Sequence, residues 1–286
     1  MAVAISSDVW AERRRRVGEL RSRQGFARQL LDFYGALLGV QERAFADAVA
    51  ASPSAPDLGA FVAEVVVTRV LDVSISTGPE RLRSDLIHRL QVEAPRRMVD
   101  RWIAGEDQPP VDRYVARAAL GPVLEALPAA TRGVCAGPRD ARHCPECGGP
   151  PQLSYSAPAA EDLASGPRRL LCARCGASWI YARMTCPGCG EDASAKLPIF
   201  SELGVTSGER GSVVRGLPSS AALDIEAVFP YMRIEACETC RRYLLSVDLA
   251  AEPRAVPLVD ELAAIPLDLY ARDRGFQKII TNLMGF

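Results

Sequence analysis

Apolar residues in the first half of the chain recur at steps of three and four positions. The two clearest stripes are Phe26, Leu30, Tyr34, Leu37 and Leu38, and Met98, Val99, Trp102 and Ile103. This spacing places apolar side chains on one face of an α-helix. Because prolines interrupt the stripes, the pattern predicts about five or six helices with short connections. We expect an orthogonal or irregular helix bundle.

The hydrophobic pattern changes near residue 141, where glycine and proline become frequent and the apolar segments shorten to strand length. These segments predict short antiparallel strands at 169–172, 178–181 and 243–247. Further turns between strands are indicated by Gly204, Gly208, Gly211 and Gly216. The stretch from residue 259 predicts a helical tail, and we expect its apolar end at 283–286 to pack onto the body of the protein.

The balance of charge along the chain excludes some classes of partner but suggests none. The chain has 34 basic and 35 acidic residues, and residues 141–250 hold 11 basic and 12 acidic groups. Nucleic acids and anionic membranes attract a cationic surface, so the balance argues against both partners. There is no apolar run of about 18 residues and no secretory signal pattern. We therefore expect a cytoplasmic protein that does not insert into a membrane.

The strongest chemical signal is the spacing of the cysteines. Random placement of nine cysteines would give roughly 0.25 pairs of the form Cys-x-x-Cys, whereas the chain has four. Such a pair forms a knuckle that turns both sulfurs toward one cation. The predicted metal ligands are Cys144 and Cys147, Cys172 and Cys175, Cys186 and Cys189, and Cys237 and Cys240.

Two knuckles complete one tetrahedral site, so four knuckles predict two sites of four cysteines each. The spacing favours sequential pairing, first knuckle with second and third with fourth, while a cross-brace arrangement stays open. Four thiolates suit either zinc or a single iron. The sites could be structural staples or could act in redox or metal sensing. We expect Cys135 to be a buried thiol and His143 to lie outside the ligand set.

Few residues suggest catalysis. The two histidines form no convincing nucleophile triad, and no glycine-rich phosphate loop is present. The acidic pairs Glu161–Asp162 and Asp260–Glu261 are interpreted as solvated turns or helix N-terminal residues. We therefore expect a protein that is not an enzyme.

Five stretches of the second half carry a resemblance to a known family. They are RHCPECGGP (142–150), RLLCARC (169–175), CPGCG (186–190), CETCRRYL (237–244) and PLVDELA (257–263). In this order they resemble the FdhE family of formate dehydrogenase accessory proteins. The helical half is similar to that family only in size, class and position.

The resemblance implies a cytoplasmic maturation factor that binds the catalytic subunit of a respiratory, exported formate dehydrogenase. It also implies rubredoxin-like iron centres held by the eight motif cysteines, with zinc as the other metal. A homo-oligomer is compatible with the sequence. The alternatives are a rubredoxin-like electron-transfer or redox-sensing protein and a zinc-ribbon nucleic-acid binder, the latter opposed by the balance of charge.

Together the patterns predict an α+β protein. An all-α helical domain would occupy residues 1–140. Two small rubredoxin-like or zinc-ribbon modules would follow at 141–183 and 184–250, and a C-terminal helical tail would occupy 251–286.

Overall fold

The structure, a computed structural model, describes residues 7–158, 165–202 and 227–285. The turns expected at Gly204, Gly208, Gly211 and Gly216 and the acidic pair Glu161–Asp162 lie outside the described residues. Within the described ranges, no helix is both long enough and apolar enough to cross a membrane.

Helices form an irregular bundle over residues 7–132, as the apolar stripes predict. A π-helical turn at Val62–Val67 joins two helices into one segment, and the last helix is a single turn. The helices are α1 (Ser7–Arg23), α2 (Arg28–Ala51), α3 (Leu58–Phe61), α4 (Thr68–Thr77), α5 (Glu80–Leu90), α6 (Pro95–Ile103), α7 (Pro110–Ala126) and α8 (Ala129–Arg132).

The apolar stripes of α2 and α7 meet in the middle of the bundle. Leu31, Leu37 and Leu38 of α2 and Leu120 and Leu124 of α7 are fully buried. Helices α6 and α7 each begin at a proline, whose fixed φ suits the first helical position and whose missing N–H is not needed there. Burial of these leucines removes apolar surface from water, which is the main favourable term in folding the bundle.

The described residues of the second half form one sheet of seven strands. The strands predicted near 169, 178 and 243 are present, and four strands were not predicted. The strands are β1 (Pro151–Pro158), β2 (Ser165–Cys172), β3 (Ser178–Ile180), β4 (Ile199–Ser201), β5 (Met232–Cys237), β6 (Arg242–Asp248) and β7 (Gln277–Lys278).

The two cysteine-rich modules share this sheet. The strand order is β3-β2-β1-β6-β5-β4, with β7 paired to β6. Within each module the pairing is antiparallel, but β1 and β6 pair in parallel, with Leu153 opposite Leu245. This parallel ladder joins the modules, and β7 of the tail also pairs with β6 in parallel. The predicted α+β class with a helical N-terminal region is therefore confirmed, while the domain boundaries stay a prediction.

The sheet has two different faces because successive side chains of a strand point to opposite sides. One face is apolar and fully buried at Leu153, Ile234, Leu245 and Val247. The opposite face, here called the polar face, carries Ser156, Arg168, Arg233, Glu235 and Asp248.

The C-terminal tail connects the sheet to the bundle. It contains the predicted helical segment as α9 (Pro257–Ala263) and α10 (Ile265–Asp273). Helix α9 contacts α1, α2 and β1, whereas α10 contacts β5 and β6. Leu283 and Met284 pack against the core, as the apolar end predicts, and Phe286 lies outside the described residues.

Candidate metal centres

The first pair of knuckles forms a compact group of four sulfurs. Cys144 and Cys147 follow the bundle, and Cys172 and Cys175 form the turn between β2 and β3. The four sulfurs lie within 4.8 Å of one another. The Sγ atoms of Cys144 and Cys175 are 3.7 Å apart, and those of Cys147 and Cys172 are 3.4 Å apart.

The second pair of knuckles repeats this arrangement at the other module. Cys186 and Cys189 follow β3, and Cys237 and Cys240 form the turn between β5 and β6. Two sulfur pairs, Cys186 with Cys240 and Cys189 with Cys237, are each 3.7 Å apart. The knuckles therefore pair sequentially, as their spacing favours. All eight cysteines are free thiols rather than disulfides.

The sulfur spacing fits a tetrahedral metal. A metal–sulfur bond of about 2.3 Å in a regular tetrahedron places neighbouring sulfurs about 3.8 Å apart, close to the observed values. Backbone amides also point at the sulfurs, since Arg174 N–H donates to Cys172 Sγ and Gly188 N–H donates to Cys186 Sγ, both at 3.3 Å. Such bonds spread the negative charge of a thiolate. Each group of four could hold one metal ion.

Burial differs sharply between the two groups. The four cysteines of the first group are between 0% and 2% exposed, whereas Cys189 is exposed and Cys240 is half-buried. Burial raises the pKa of the Cys172 thiol, so without a cation the Cys172 thiol resists ionisation. A divalent or trivalent metal would reverse that preference by stabilising the thiolates.

Backbone and an arginine cover the first group closely. A Cβ atom on Gly149 would lie 2.8 Å from Cys172 Sγ, so only glycine fits beside that sulfur. Arg174 donates to the carbonyl oxygens of Ala136 and Cys147, both at 2.8 Å. Its guanidinium lies 5.2 Å from the ring centre of Trp102 in α6. The sequence does not predict this role of Arg174, because its partners are distant in the chain.

The other residues of interest lie outside both groups. Cys135 is buried, as predicted, and burial raises the pKa of its thiol to about 11. His143 makes a 2.8 Å hydrogen bond with Asp140 rather than joining the sulfurs. Asp260 and Glu261 do lie in a helix near its N-terminus, but they are fully buried, so their interpretation as solvated residues is wrong.

These two carboxylates belong to buried ionic contacts that tie the tail to the rest of the protein. Asp260 accepts hydrogen bonds from Arg16 of α1 at 2.5 Å and from Tyr231 at 2.6 Å. Glu261 pairs with Lys278 at 2.7 Å. Burial by itself would lower the pKa of Arg16, but the hydrogen bond and charge of Asp260 outweigh burial and raise it above the ordinary range. Arg16 therefore stays charged in the interior.

Comparison with known proteins gives a consistent result. Residues 221–284 match the family model "FdhE, C-terminal domain". The chain is 32% identical to the Protein FdhE homolog of Aquifex aeolicus over 146 residues. The matched stretch is 50% of this chain and 42% of that protein. The chain is also 28% identical to the Protein FdhE homolog of Pseudomonas aeruginosa over 141 residues. That stretch is 49% of this chain and 38% of that protein.

The fold comparison extends over nearly the whole chain. The crystal structure of the FdhE protein from Pseudomonas aeruginosa superposes with a TM-score of 0.62 and 20% identity. The match covers 98% of this chain and 96% of that one. At this identity the likeness shows the fold. The sequence matches cover less than half the length of the two curated relatives. Together, the comparisons agree with the resemblance that the knuckle motifs carry: residues 221–284 match the C-terminal domain of FdhE, and the fold is that of an FdhE protein.

Proposed function

We propose that the protein is a non-enzymatic accessory factor for the maturation of a respiratory, exported formate dehydrogenase. In this proposal it binds the catalytic subunit in the cytoplasm and carries two metal centres, each held by four cysteines. The observation that carries the proposal is the FdhE-like fold with two sequentially paired groups of four cysteines on one sheet. The near-neutral charge of the chain also suits a protein partner better than a nucleic acid.

We propose iron as the resident metal, one ion in each group, with zinc as the alternative. The first ion would be held by Cys144, Cys147, Cys172 and Cys175, and the second by Cys186, Cys189, Cys237 and Cys240. Iron held by four thiolates would supply one-electron redox chemistry, which zinc cannot supply. The protein supplies the sulfur positions and the amides that face them.

Co-purification tests the proposed partner. A tagged chain is expressed under anaerobic formate-respiring conditions, and we expect the catalytic subunit of formate dehydrogenase to co-purify with it. A variant with an exposed change away from the cysteines, Arg81→Ala, should retain the subunit and serves as the control. Absence of the subunit under these conditions would contradict the proposed partner.

Metal analysis with an absorption spectrum tests the centres on the same protein purified without oxygen. We expect about two metals per chain, since each tetrahedral thiolate group holds one. Oxidised thiolate iron should give a visible band that reduction removes. A colourless protein with two zinc ions would rule out iron and leave the docking proposal in place.

A redox role is the second candidate function, and the exposure of Cys189 favours it. An electron donor or acceptor could approach the second centre closely, whereas the first is enclosed. Reversible reduction with rapid electron exchange would support this candidate. A centre that stays in one oxidation state with chemical reductants would exclude it.

A further inference from the structure

A cavity of about 350 Å³ lies on the polar face of the sheet. Cys186 and Pro187 of the third knuckle form part of one wall, and residues 197–199 form another. Its floor is made by strands from both modules, including Ser156 of β1 and Glu235 of β5. The volume falls within the range of about 300–1,000 Å³ that is usual for ligand pockets.

The cavity is positively charged. Among the described residues that line it, four arginines face two carboxylates: Arg168, Arg183, Arg233 and Arg242 against Glu235 and Asp248. Glu235 is already engaged, because Arg168 donates to it at 2.6 Å and Arg233 at 3.3 Å. An incoming carboxylate would therefore meet arginines whose charge is only partly compensated.

Three of these arginines retain donors. Arg168 is 5% exposed, and among the described residues its Nε has no hydrogen-bond partner. A buried N–H without an acceptor carries a desolvation penalty. Arg233 bonds Glu235 only through Nε, and the side chain of Arg242 has no partner among the described residues. Arg233 and Arg242 thus offer donors to a bound group.

Apolar side chains complete the lining. Met184 is 49% exposed and Ile199 is 55% exposed, and both line the same cavity. Large apolar side chains beside unused charged donors are typical of an interaction site rather than of a solvated surface. A purely inorganic anion would leave these two side chains in water, whereas a peptide could cover them.

We propose that this cavity binds a short segment of the partner polypeptide, which places an acidic side chain against Arg233 and Arg242 and an apolar side chain against Met184 and Ile199. Charge complementarity argues for an acidic segment, and the apolar lining argues for a peptide. This inference rests on the proposed function, because the partner is the catalytic subunit. Cys186 lies in the cavity wall, so the bound segment would contact the second cysteine group.

Photo-crosslinking tests where the partner sits. In the full chain, Met184 is replaced by photoreactive benzoylphenylalanine, and the catalytic subunit is co-expressed. The same replacement at Ile87, which is 51% exposed on α5, is the matched control. We expect crosslinks from position 184 and none from position 87. The crosslinked segment of the subunit should contain an acidic residue beside an apolar one.

Charge reversal tests the arginines. Arg233→Glu with Arg242→Glu should weaken binding of the purified catalytic subunit by about tenfold or more, since attraction becomes repulsion. Arg81→Glu with Arg97→Glu, both exposed on the bundle, should change it less than twofold. If the first pair alters the circular dichroism spectrum or metal content, Met184→Glu takes its place, with the same loss expected.

The outcomes separate the two proposals. Binding of the subunit that is insensitive to the cavity variants, or a crosslink from position 87 instead of 184, would overturn the cavity and leave the proposed function intact. Failure of the unaltered protein to bind the subunit would overturn both. Loss of binding in the cavity variants, with a crosslink to an acidic segment, would support both.

Discussion

Removal of the Asp260 carboxylate should destabilise the protein far more than removal of a surface carboxylate. Asp260 is fully buried in α9, and its partner Arg16 in α1 is 2% exposed. The two residues are 244 positions apart in the chain, so the contact fixes the tail against the bundle. Asp260 also accepts hydrogen bonds from Tyr231 and from the backbone of Val256. Asp260→Ala removes all of these acceptors together.

The expected magnitude follows from the charge left behind. Arg16 stays protonated after the substitution, because its ordinary pKa lies far above neutrality, and its buried guanidinium then keeps only the partly exposed Glu19, 3.1 Å away, as an ionic partner. Breaking a buried ion pair by removing one partner costs about 3–5 kcal/mol. For a chain of this size the melting temperature should fall by about 6–10 °C. The pKa of Arg16 is raised in the folded state, so the stability that its charge contributes is fully present below the pKa of an unfolded arginine. The stability lost in Asp260→Ala should therefore not vary across the neutral pH range.

Thermal and urea unfolding of the metal-loaded protein measure this loss. Asp85→Ala is the control, because Arg81 and Asp85 are 3.9 Å apart and their side chains are 95% and 51% exposed. It should cost less than about 0.5 kcal/mol. The double variant Arg16→Met with Asp260→Leu should recover much of the stability, since no unpaired charge remains. A stability of Asp260→Ala within about 0.5 kcal/mol of the control would refute the reasoning.

Three further predictions concern the cysteine groups. Gly148→Ala should destabilise the first group much more than Gly190→Ala destabilises the second. Both glycines have positive φ, but only at Gly148 would the added Cβ lie 2.8 Å from the backbone oxygen of Gly137. The metal content per chain measures the loss, and equal losses in the two variants would contradict the prediction. A chelator should remove metal in two phases, and the second group should lose its metal first because Cys189 is exposed. Cys189→Ser should therefore abolish only the fast phase. If the fast phase survives in this variant, the predicted order of metal loss is wrong. In the folded metal-free protein, iodoacetamide should modify Cys189 well before Cys135, because the Cys135 thiol is 1% exposed and has a pKa raised to about 11. Mass spectrometry of digests gives the order of modification. Early modification of Cys135 would contradict its burial.

Several features of the fold follow from local pattern. The stripes on α2 and α6 predict helices because their period of three and four residues is set by the backbone of a single helix. The knuckles depend on only four consecutive residues each, so their number and favoured pairing could be read from spacing. Trp102 is buried, in agreement with the stripe that contains it, yet Phe26 at the start of the other stripe is 54% exposed.

Other features depend on contacts between distant segments. Strand β1 is not predicted, although Leu153 and Tyr155 alternate with Ser154 and Ser156, because prolines at both of its ends are typical of loops. On the polar face of the sheet Ser154 donates to Glu235 of β5, a partner 81 positions away in the chain. The parallel pairing of β1 with β6 joins segments more than 80 residues apart, and no local signal encodes it. The burial of Asp260 and Glu261 was misjudged because adjacent acidic residues are normally solvated unless a distant cation pairs with them.

The sequence by itself therefore determined the helical class of the first half and the four cysteine knuckles, since each rests on spacing within a few residues, and it favoured sequential pairing of the knuckles over a cross-brace. Only the tertiary structure decided that both groups share one sheet, that one group is enclosed and the other exposed, and that four arginines converge on a cavity beside Cys186. The physical reason is that burial and electrostatic pairing depend on neighbours in space. Those neighbours are set by long-range strand pairing and helix packing, which spacing along the chain does not record.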